Sequence, residues 1–390
     1  MNSFLPDDYL EIEAKYFAEL RNTGAVDAEP SGWRNGQSMA EKWAPLPQLR
    51  RAELVPYYID EGDALAPIKE RIAELLTAWD GYSIGPNEFT LCQSGAVTSL
   101  LTLVMLRNRG VTRIIFETPS YFASIEQAAE IGLEVDLVPT VIKNNYSLPP
   151  LEPWLLNSQN VAVWLTQPRA SLGFNQPTNV IAELLDNLPR SSYVVVDEAT
   201  DQTFPIHLGE FAKLHGSEQL IRLRSFTKGM GLNGLRLAAI LHSTNQRSWF
   251  AGPLELVGGS LDIHSLQAVR ILSENPERFR LMLGAANAQV NSLRARAEAL
   301  VAGSPISVNR LVNGYIGSMV ADLSVLGTTH LEGRLNLLEG CRRVRTPVML
   351  GTSSYFAIDP PFEAMRLNFF RTADELLRGI SNILRIWQDY

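Results

Sequence analysis

Lys228 stands in the run Ser225-Phe-Thr-Lys228-Gly-Met-Gly231-Leu-Asn-Gly234-Leu-Arg236, after the strand-like apolar segment Leu220-Ile-Arg-Leu-Arg-Ser-Phe. A hydroxyl lies three residues before the lysine, an arginine eight after it, and three glycines fall between. A lysine in a partly apolar pocket loses its proton readily and becomes a nucleophile toward a carbonyl carbon. Ser225 and Arg236 are the kinds of donor a phosphate needs. The pattern is that of a lysine tethered through a Schiff base to pyridoxal 5'-phosphate (PLP), with phosphate ligands built around it.

Three other readings compete for the same run. Ser-Phe-Thr-Lys matches the S-x-x-K of serine β-lactamases, but neither S-D-N nor K-T-G follows. Gly229-Met-Gly231-Leu-Asn-Gly234 matches a dinucleotide fingerprint, and Glu255 falls about twenty residues later. That fingerprint needs a helix after the glycines; Leu235-Arg-Leu-Ala-Ala-Ile-Leu reads as a strand. The third is an exposed lysine in a glycine-rich turn.

Two further sites carry chemistry. A strand over 89–92 runs into Gln93-Ser94-Gly95-Ala96 and then a helix. Free backbone N–H groups and a helix dipole at such a turn attract anions, and Ser94 adds a hydroxyl; an ordinary capped turn is the alternative. Tyr193-Val-Val-Val-Asp197-Glu198 puts a carboxylate at the carboxyl end of a strand. Asp197 can pair with a pyridine nitrogen and keep it protonated, so that the ring draws electrons from a Cα carbanion. A Walker B strand would look alike but needs a Walker A loop, and no G-x-x-x-x-G-K-[ST] occurs.

The elements that must position these residues alternate. Strands are predicted over 89–92, 113–117, 134–138, 162–166, 193–196, 221–225 and 237–241, and helices over 97–107, 124–130 and 179–187. Short apolar runs between helices predict a mostly parallel sheet buried on both faces. Helical spacing also marks 7–21 and 64–79, and long helical stretches fill 261–303. Beyond about 305 the pattern is α+β and ends in a strand over 365–369 and a last helix, which Thr372-Ala-Asp-Glu375 caps. The expected organisation is an N-terminal arm over 1–50, a large domain over 51–270 and a small C-terminal domain over 271–390.

Bulk properties exclude other classes. The chain has 390 residues, 46% apolar and 19% charged, as in ordinary soluble globular proteins. A net charge of −8 argues against nucleic acid or an anionic membrane as partner. The first residues lack a secretory pattern and no segment has the length of a membrane span, so a cytoplasmic protein is expected. Cys92 and Cys341 are distant in sequence, and the five histidines show no H-x-x-x-H or H-E-x-x-H pairing. A metal centre is not expected.

With Ser94-Gly95-Ala96, Asp197, Lys228 and Arg236 in this order, the chain resembles the class I/II aminotransferases, the fold type I PLP-dependent enzymes. The resemblance covers most of the chain. It implies an α/β fold, with a large domain whose mostly parallel sheet lies in an α/β/α sandwich and a smaller α+β domain. Lys228 would form the Schiff base and shuttle a proton, and Asp197 would pair with the pyridine nitrogen. Ser94, Gly95, Ala96, Ser225 and Arg236 would hold the phosphate. Tyr121, in Thr118-Pro-Ser-Tyr121-Phe, falls where the family stacks an aromatic ring on the cofactor. Tyr58, in Tyr57-Tyr58-Ile-Asp-Glu-Gly62, resembles the tyrosine that reaches a neighbour's phosphate, which implies a homodimer with shared active sites. Arg366, in Met365-Arg366-Leu-Asn-Phe, lies where the family grips the substrate α-carboxylate; an arginine ending a surface strand is the alternative.

The chain departs from the family at two places. The family's N-P-x-N-P-T-G stands here as Gln167-Pro168-Arg169-Ala170-Ser171-Leu172-Gly173, so Ala170 replaces the asparagine that donates to the cofactor's phenolic oxygen. The family's D-x-A-Y stands as Asp197-Glu-Ala-Thr200, which removes the tyrosine donor to the same atom. Gln167 and Thr200 are the residues left to reach it. The expected function is transamination of an α-amino acid; the alternative is PLP-dependent elimination, cyclisation or oxidation in specialised metabolism. A non-enzymatic binding module would leave Lys228 without a role. Glu29-Pro-Ser-Gly-Trp33-Arg34-Asn matches nothing at the entrance of a standard family member; it either shapes the pocket or packs on the second domain.

Overall fold

The computed structural model describes residues 8–32, 65–141, 159–173, 177–200, 214, 216–226, 228–258, 261–309, 314–351 and 360–389. The strands Phe89–Cys92 (β1), Arg113–Thr118 (β2), Glu134–Pro139 (β3), Val161–Thr166 (β4), Tyr193–Glu198 (β5), Leu220–Ser225 (β6) and Ala238–Leu241 (β7) form one sheet. Its order is β1-β7-β6-β5-β4-β2-β3, with only β7 antiparallel to its neighbours. A second, antiparallel sheet joins Ile306–Val308 (β8), Ile316–Asp322 (β9) and Phe362–Asn368 (β10) in the order β10-β9-β8. The longer helices are Asp8–Thr23 (α1), Ala66–Asp80 (α2), Gly95–Asn108 (α3), Phe122–Glu130 (α4), Thr178–Asn187 (α5), Arg247–Pro253 (α6), Ile263–Ser273 (α7), Pro276–Val301 (α8), His330–Arg343 (α9) and Ala373–Gln388 (α10).

The expected α/β architecture is therefore present, and the apolar runs explain it. β4 and β5 are buried at every residue, so no polar alternation marks them: both sheet faces are covered. Ala162, Trp164, Tyr193, Val195, Ile221 and Leu223 pack on the face shared with α3. Val163, Leu165, Val194 and Val196 pack on the other, with Ile181, Leu184 and Leu185 of α5. Truncating the larger of these side chains, such as Leu165, Ile181, Leu184 or Leu223, to alanine costs about 2–5 kcal/mol each.

The helical stretch over 261–303 is divided. Asn275 ends α7's run and caps α8 by accepting from the Arg278 N–H at 2.9 Å, with Pro276 in the first turn. α8 has 26 residues, about 39 Å of helix at 1.5 Å per residue. Phe279, Met282 and Leu283 enter the core of α2 and α7, whereas Ala286, Val290, Leu293, Ala297 and Val301 enter the core of the second sheet. Phe17 of α1 belongs to that second core as well. The cap of α10 is half of the expected box: Thr372 Oγ1 accepts from the Glu375 N–H at 3.3 Å, while the Glu375 carboxylate pairs with Arg371.

Strand direction decides where chemistry can gather. β1, β2, β4, β5 and β6 run parallel, so their carboxyl ends reach one edge, and antiparallel β7 begins at that edge. In open α/β sheets ligands bind there. Among the described residues no helix is long and apolar enough to cross a membrane, and no three metal-ligating side chains come together.

Candidate active site

The strands deliver the site groups to that edge. β1 leads to Ser94, whose Oγ accepts from the Val97 N–H at 3.3 Å and caps α3. The first N–H groups of α3, at Gly95 and Ala96, therefore end at the edge with the positive pole of the helix. β2 leads to Tyr121, β4 to Gln167, β5 to Asp197 and Thr200, and β6 to Ser225 and then Lys228. Arg236 enters β7 from the same side.

Lys228 lies at the centre. Its side chain is partly buried, and Nζ is 5.8 Å from the centroid of the Tyr121 ring. A Cβ added to Gly95 would lie 3.9 Å from that Nζ and 3.6 Å from the Ala199 Cβ, so the bare glycine leaves a cradle open beside the amine. Burial pushes the Lys228 ammonium below its ordinary value; Asp197 opposes this and Arg236 adds to it. Burial likewise raises Asp197, against the pull of Lys228 and of the Ala199 N–H, which donates to Oδ1 at 3.0 Å. The result is an amine that gives up its proton easily and a carboxyl that holds one easily, within one field. Tyr121 is raised by burial and by Asp197, which keeps its phenol neutral.

Gln167 supplies the clearest sign of a missing partner. Its backbone N–H donates to the Asp197 carbonyl at 2.7 Å, its side chain is fully buried, and neither Nε2 nor Oε1 has a hydrogen-bond partner among the described residues. An amide desolvated without partners costs ~1–3 kcal/mol, so the site fits a ligand that offers both a donor and an acceptor, or one that displaces solvent onto them. Ala170 has no donor to give, and Thr200 is partly buried next to Ala199. The loop instead turns on Ser171, at φ +61°, and on Arg169, a fully buried side chain paired with Glu117 of β2. Burial pushes Glu117 up to about 7 in spite of Arg169.

Arg236 is the outlying member of the expected set. It is exposed, Nη1 donates to the Asn233 carbonyl at 3.3 Å, and its N–H donates to Ser265 Oγ at 2.7 Å. It reaches the site through its charge on Lys228 and Tyr121. Ser225 is buried, in register with Ala238. Tyr58 lies outside the described residues.

Arg366 arrives from the second sheet and is buried, not a surface residue. Nε donates to the Ser31 carbonyl at 3.0 Å, and Nη2 donates to the same oxygen. Burial outweighs the attraction of Tyr315, Glu13 and Glu29 and lowers Arg366 to about 10. Arg222, equally buried, behaves in the opposite way. Burial opposes its charge, but Asp80 and Glu198 overcome this and raise it well above its ordinary value. At Arg222 the counter-ions prevail over burial, whereas at Arg366 burial prevails over the attraction of its neighbours.

Several contributors escaped sequence reasoning. Gly314, at φ +74°, comes so close that a Cβ there would meet Pro168 Cγ at 2.8 Å and the Thr200 carbonyl at 3.3 Å. Tyr315 follows it, stacked on Phe370 at 4.6 Å and interacting with Asn233 and Arg366. No spacing rule flags either residue. A third is the ionic quartet behind Asp197. Arg222 donates to Asp80 at 2.6 Å and to Glu198 at 2.9 Å. Arg224 donates to Glu198 at 2.5 Å and lies 3.2 Å from the other Asp80 oxygen. Arg-Leu-Arg at alternate positions of an apolar strand was the available signal. Of the Glu29–Asn35 segment, Pro30, Ser31 and Gly32 bond to the second sheet and reach Arg366, while residues 33–35 lie outside the described residues.

A sequence model of the aminotransferase class I and II family matches residues 61–296, more than half of the chain. Among solved structures, the aspartate aminotransferase of Rhizobium meliloti is similar at 14% identity and TM-score 0.78, covering 99% of this chain and 97% of that one. The Escherichia coli protein YbdL, described as having a methionine aminotransferase function, is 15% identical with TM-score 0.75 and covers 99% of both chains. Thermus thermophilus aspartate aminotransferase with maleate is 17% identical with TM-score 0.72, covering 98% and 97%. At these identities the likeness is one of fold: a large, mostly parallel sheet beside a smaller antiparallel one.

Proposed function

Because the chain belongs to the class I and II aminotransferase family and has its fold type I architecture, we propose that it is a PLP-dependent enzyme acting on an α-amino acid, with transamination as its reaction. One observation carries this reading: the easily deprotonated Lys228 amine stands at the strand edge beside the bare Gly95 cradle, under the Tyr121 ring and in the field of Asp197.

The residues present fit PLP. The unpartnered Gln167 carboxamide and the Gly95 cradle ask for a planar, polar group beside Lys228. When bound, PLP supplies an electron sink for charge developing at the substrate Cα. Lys228 would anchor it and then carry a proton from Cα, a task for which its lowered pKa suits it. Asp197 would hold a proton at the pyridine nitrogen. Ser94, Gly95, Ala96, Ser225, Arg236 and the partner subunit's copy of Tyr58 would receive the phosphate. Tyr121 would stack on the ring, and Gln167 and Thr200 would face the phenolic oxygen. Arg366 would receive the substrate α-carboxylate. The domains are assigned as an arm over 1–50, a PLP-binding domain over 51–270 and a small domain over 271–390, in a cytoplasmic homodimer.

A second reading is elimination, cyclisation or oxidation without net transamination. Ala170 and Thr200, in place of two donors to one atom, favour it, because those donors tune how charge is shared between the ring and the substrate. The test is to incubate PLP-loaded protein with a panel of L-amino acids and identify the released cofactor. The amine form with a 2-oxo acid supports transamination; product with the aldehyde form retained supports the second reading. Lys228→Ala with undiminished turnover would overturn both.

A further inference from the structure

Arg366 does not stand alone on β10. A strap of the N-terminal arm, Asp27 to Gly32, is bonded to Asn368 and Arg366 of β10 at Pro30, Ser31 and Gly32, and to residues outside the strand at Asp27 and Ser31. The Asp27 N–H donates to the Arg345 carbonyl at 2.8 Å, and Asn382 Nδ2 donates to the Asp27 carboxylate at 2.7 Å. The Asn368 N–H donates to the Pro30 carbonyl at 2.9 Å, the Met349 N–H to Ser31 Oγ at 2.9 Å, and Asn368 Nδ2 to the Gly32 carbonyl at 3.0 Å. Asn368 is fully buried, and its own Oδ1 accepts from the Phe370 N–H at 2.9 Å, so its amide cannot swing away. Behind the strap, α10 presents Gly379, where a Cβ would meet Pro30 Cδ at 2.7 Å and Cγ at 2.9 Å. The strap sits where it does because that helix position is bare.

The ties converge on one oxygen. The Ser31 carbonyl accepts from both Nε and Nη2 of Arg366, and two bonds from one guanidinium to one acceptor fix the plane of the whole group. A carboxylate is gripped in a bidentate manner only if that plane is already oriented, since otherwise part of the binding energy is lost to ordering the side chain.

We infer that the strap is a working part of the substrate-carboxylate receptor, with Asn368 and Gly379 as positioning residues that hold the Ser31 carbonyl against Arg366. The inference rests on the reading of Arg366 as that receptor. Asn368 and Gly379 act through the strap: the Asn368 amide is engaged with Gly32 and Phe370, and Gly379 faces Pro30. Displacing it loosens the guanidinium, so carboxylate recognition falls while the Lys228 edge, which belongs to the other sheet, keeps its cofactor.

The experiment uses PLP-loaded protein and two amines that differ by one group, 2-aminoisobutyrate and isopropylamine, titrated by the change in cofactor absorbance. The ratio of their dissociation constants isolates the carboxylate. The wild-type protein is expected to prefer 2-aminoisobutyrate, and Arg366→Lys to abolish most of that preference. Asn368→Ala and Gly379→Ala are each expected to reduce it about tenfold, the size of one lost hydrogen bond, with PLP affinity and isopropylamine binding unchanged. Gly379→Ala keeps the test open if Asn368→Ala does not fold, because alanine favours the helix. No preference in the wild type, or a preference that survives Arg366→Lys, overturns the reading of Arg366. Loss in Arg366→Lys with the wild-type ratio kept in both Asn368→Ala and Gly379→Ala overturns the strap inference alone.

Discussion

Glu117→Gln tests whether burial or ion pairing governs the loop that carries Gln167. Glu117 and Arg169 are each 1% exposed and paired. Burial nevertheless lifts the carboxyl from 4.5 to about 7. The folded protein then binds a proton that the unfolded chain has released throughout that window, so stability falls as pH rises through it. The fall is ~1.4 kcal/mol per pH unit for one group and on the order of 3 kcal/mol in all. Glutamine is isosteric with the protonated acid and does not titrate. Urea unfolding of both cofactor-free proteins at pH 5 and pH 8 should therefore show the variant gaining about 3 kcal/mol on the wild type. Taking the difference removes the other titrating groups, including Glu363, which burial also pushes up to about 7. Parallel pH profiles would refute the reasoning. They would show that Arg169 holds Glu117 ionised, because a carboxyl at or below its ordinary value has released its proton in both states across this window.

Two further outcomes follow from the same geometry. Gln167→Leu removes a buried amide with no partner, so the cofactor-free protein should melt at the same or a higher temperature while PLP affinity falls about tenfold, one lost hydrogen bond to the ligand; a lower melting temperature with unchanged affinity would count against it. Gly314→Ala puts a side chain at φ +74° against Pro168, and at ~1–2 kcal/mol for the left-handed conformation alone it should lower thermal stability and weaken PLP binding together, as measured by thermal unfolding and cofactor titration.

The sheet and its edge were legible because both depend on local pattern. Strands buried on two faces have no polar alternation, and the site residues stand at their carboxyl ends: Asp197 and Ser225 in the last two positions of β5 and β6, Ser94 two positions past β1. Lys228 was legible because glycines and hydroxyls around a lysine are unusual. What stayed hidden depends on chain segments meeting from afar. Ser31 and Arg366 are 335 positions apart, and the acceptor is a backbone carbonyl that every residue type carries. Gly314 reads as any loop glycine until Pro168 is seen against it. Arg169 occupies a variable position of a family motif, so comparison with the motif draws attention away from it. The division between α7 and α8 was in plain sight as Asn275-Pro276, but helical spacing on both sides masked it.

The quartet of Asp80, Glu198, Arg222 and Arg224 has a consequence for descent. Removing any one member leaves an uncompensated buried charge, a loss of about 3–5 kcal/mol, whereas exchanging all four for well-packed apolar residues is close to neutral. Every first step away from the quartet therefore leads downhill in fitness, although the far side of the valley is level ground. A lineage that acquired these four residues can change them only as a block. The four therefore behave as one structural unit, whose members keep their stability only when they change together.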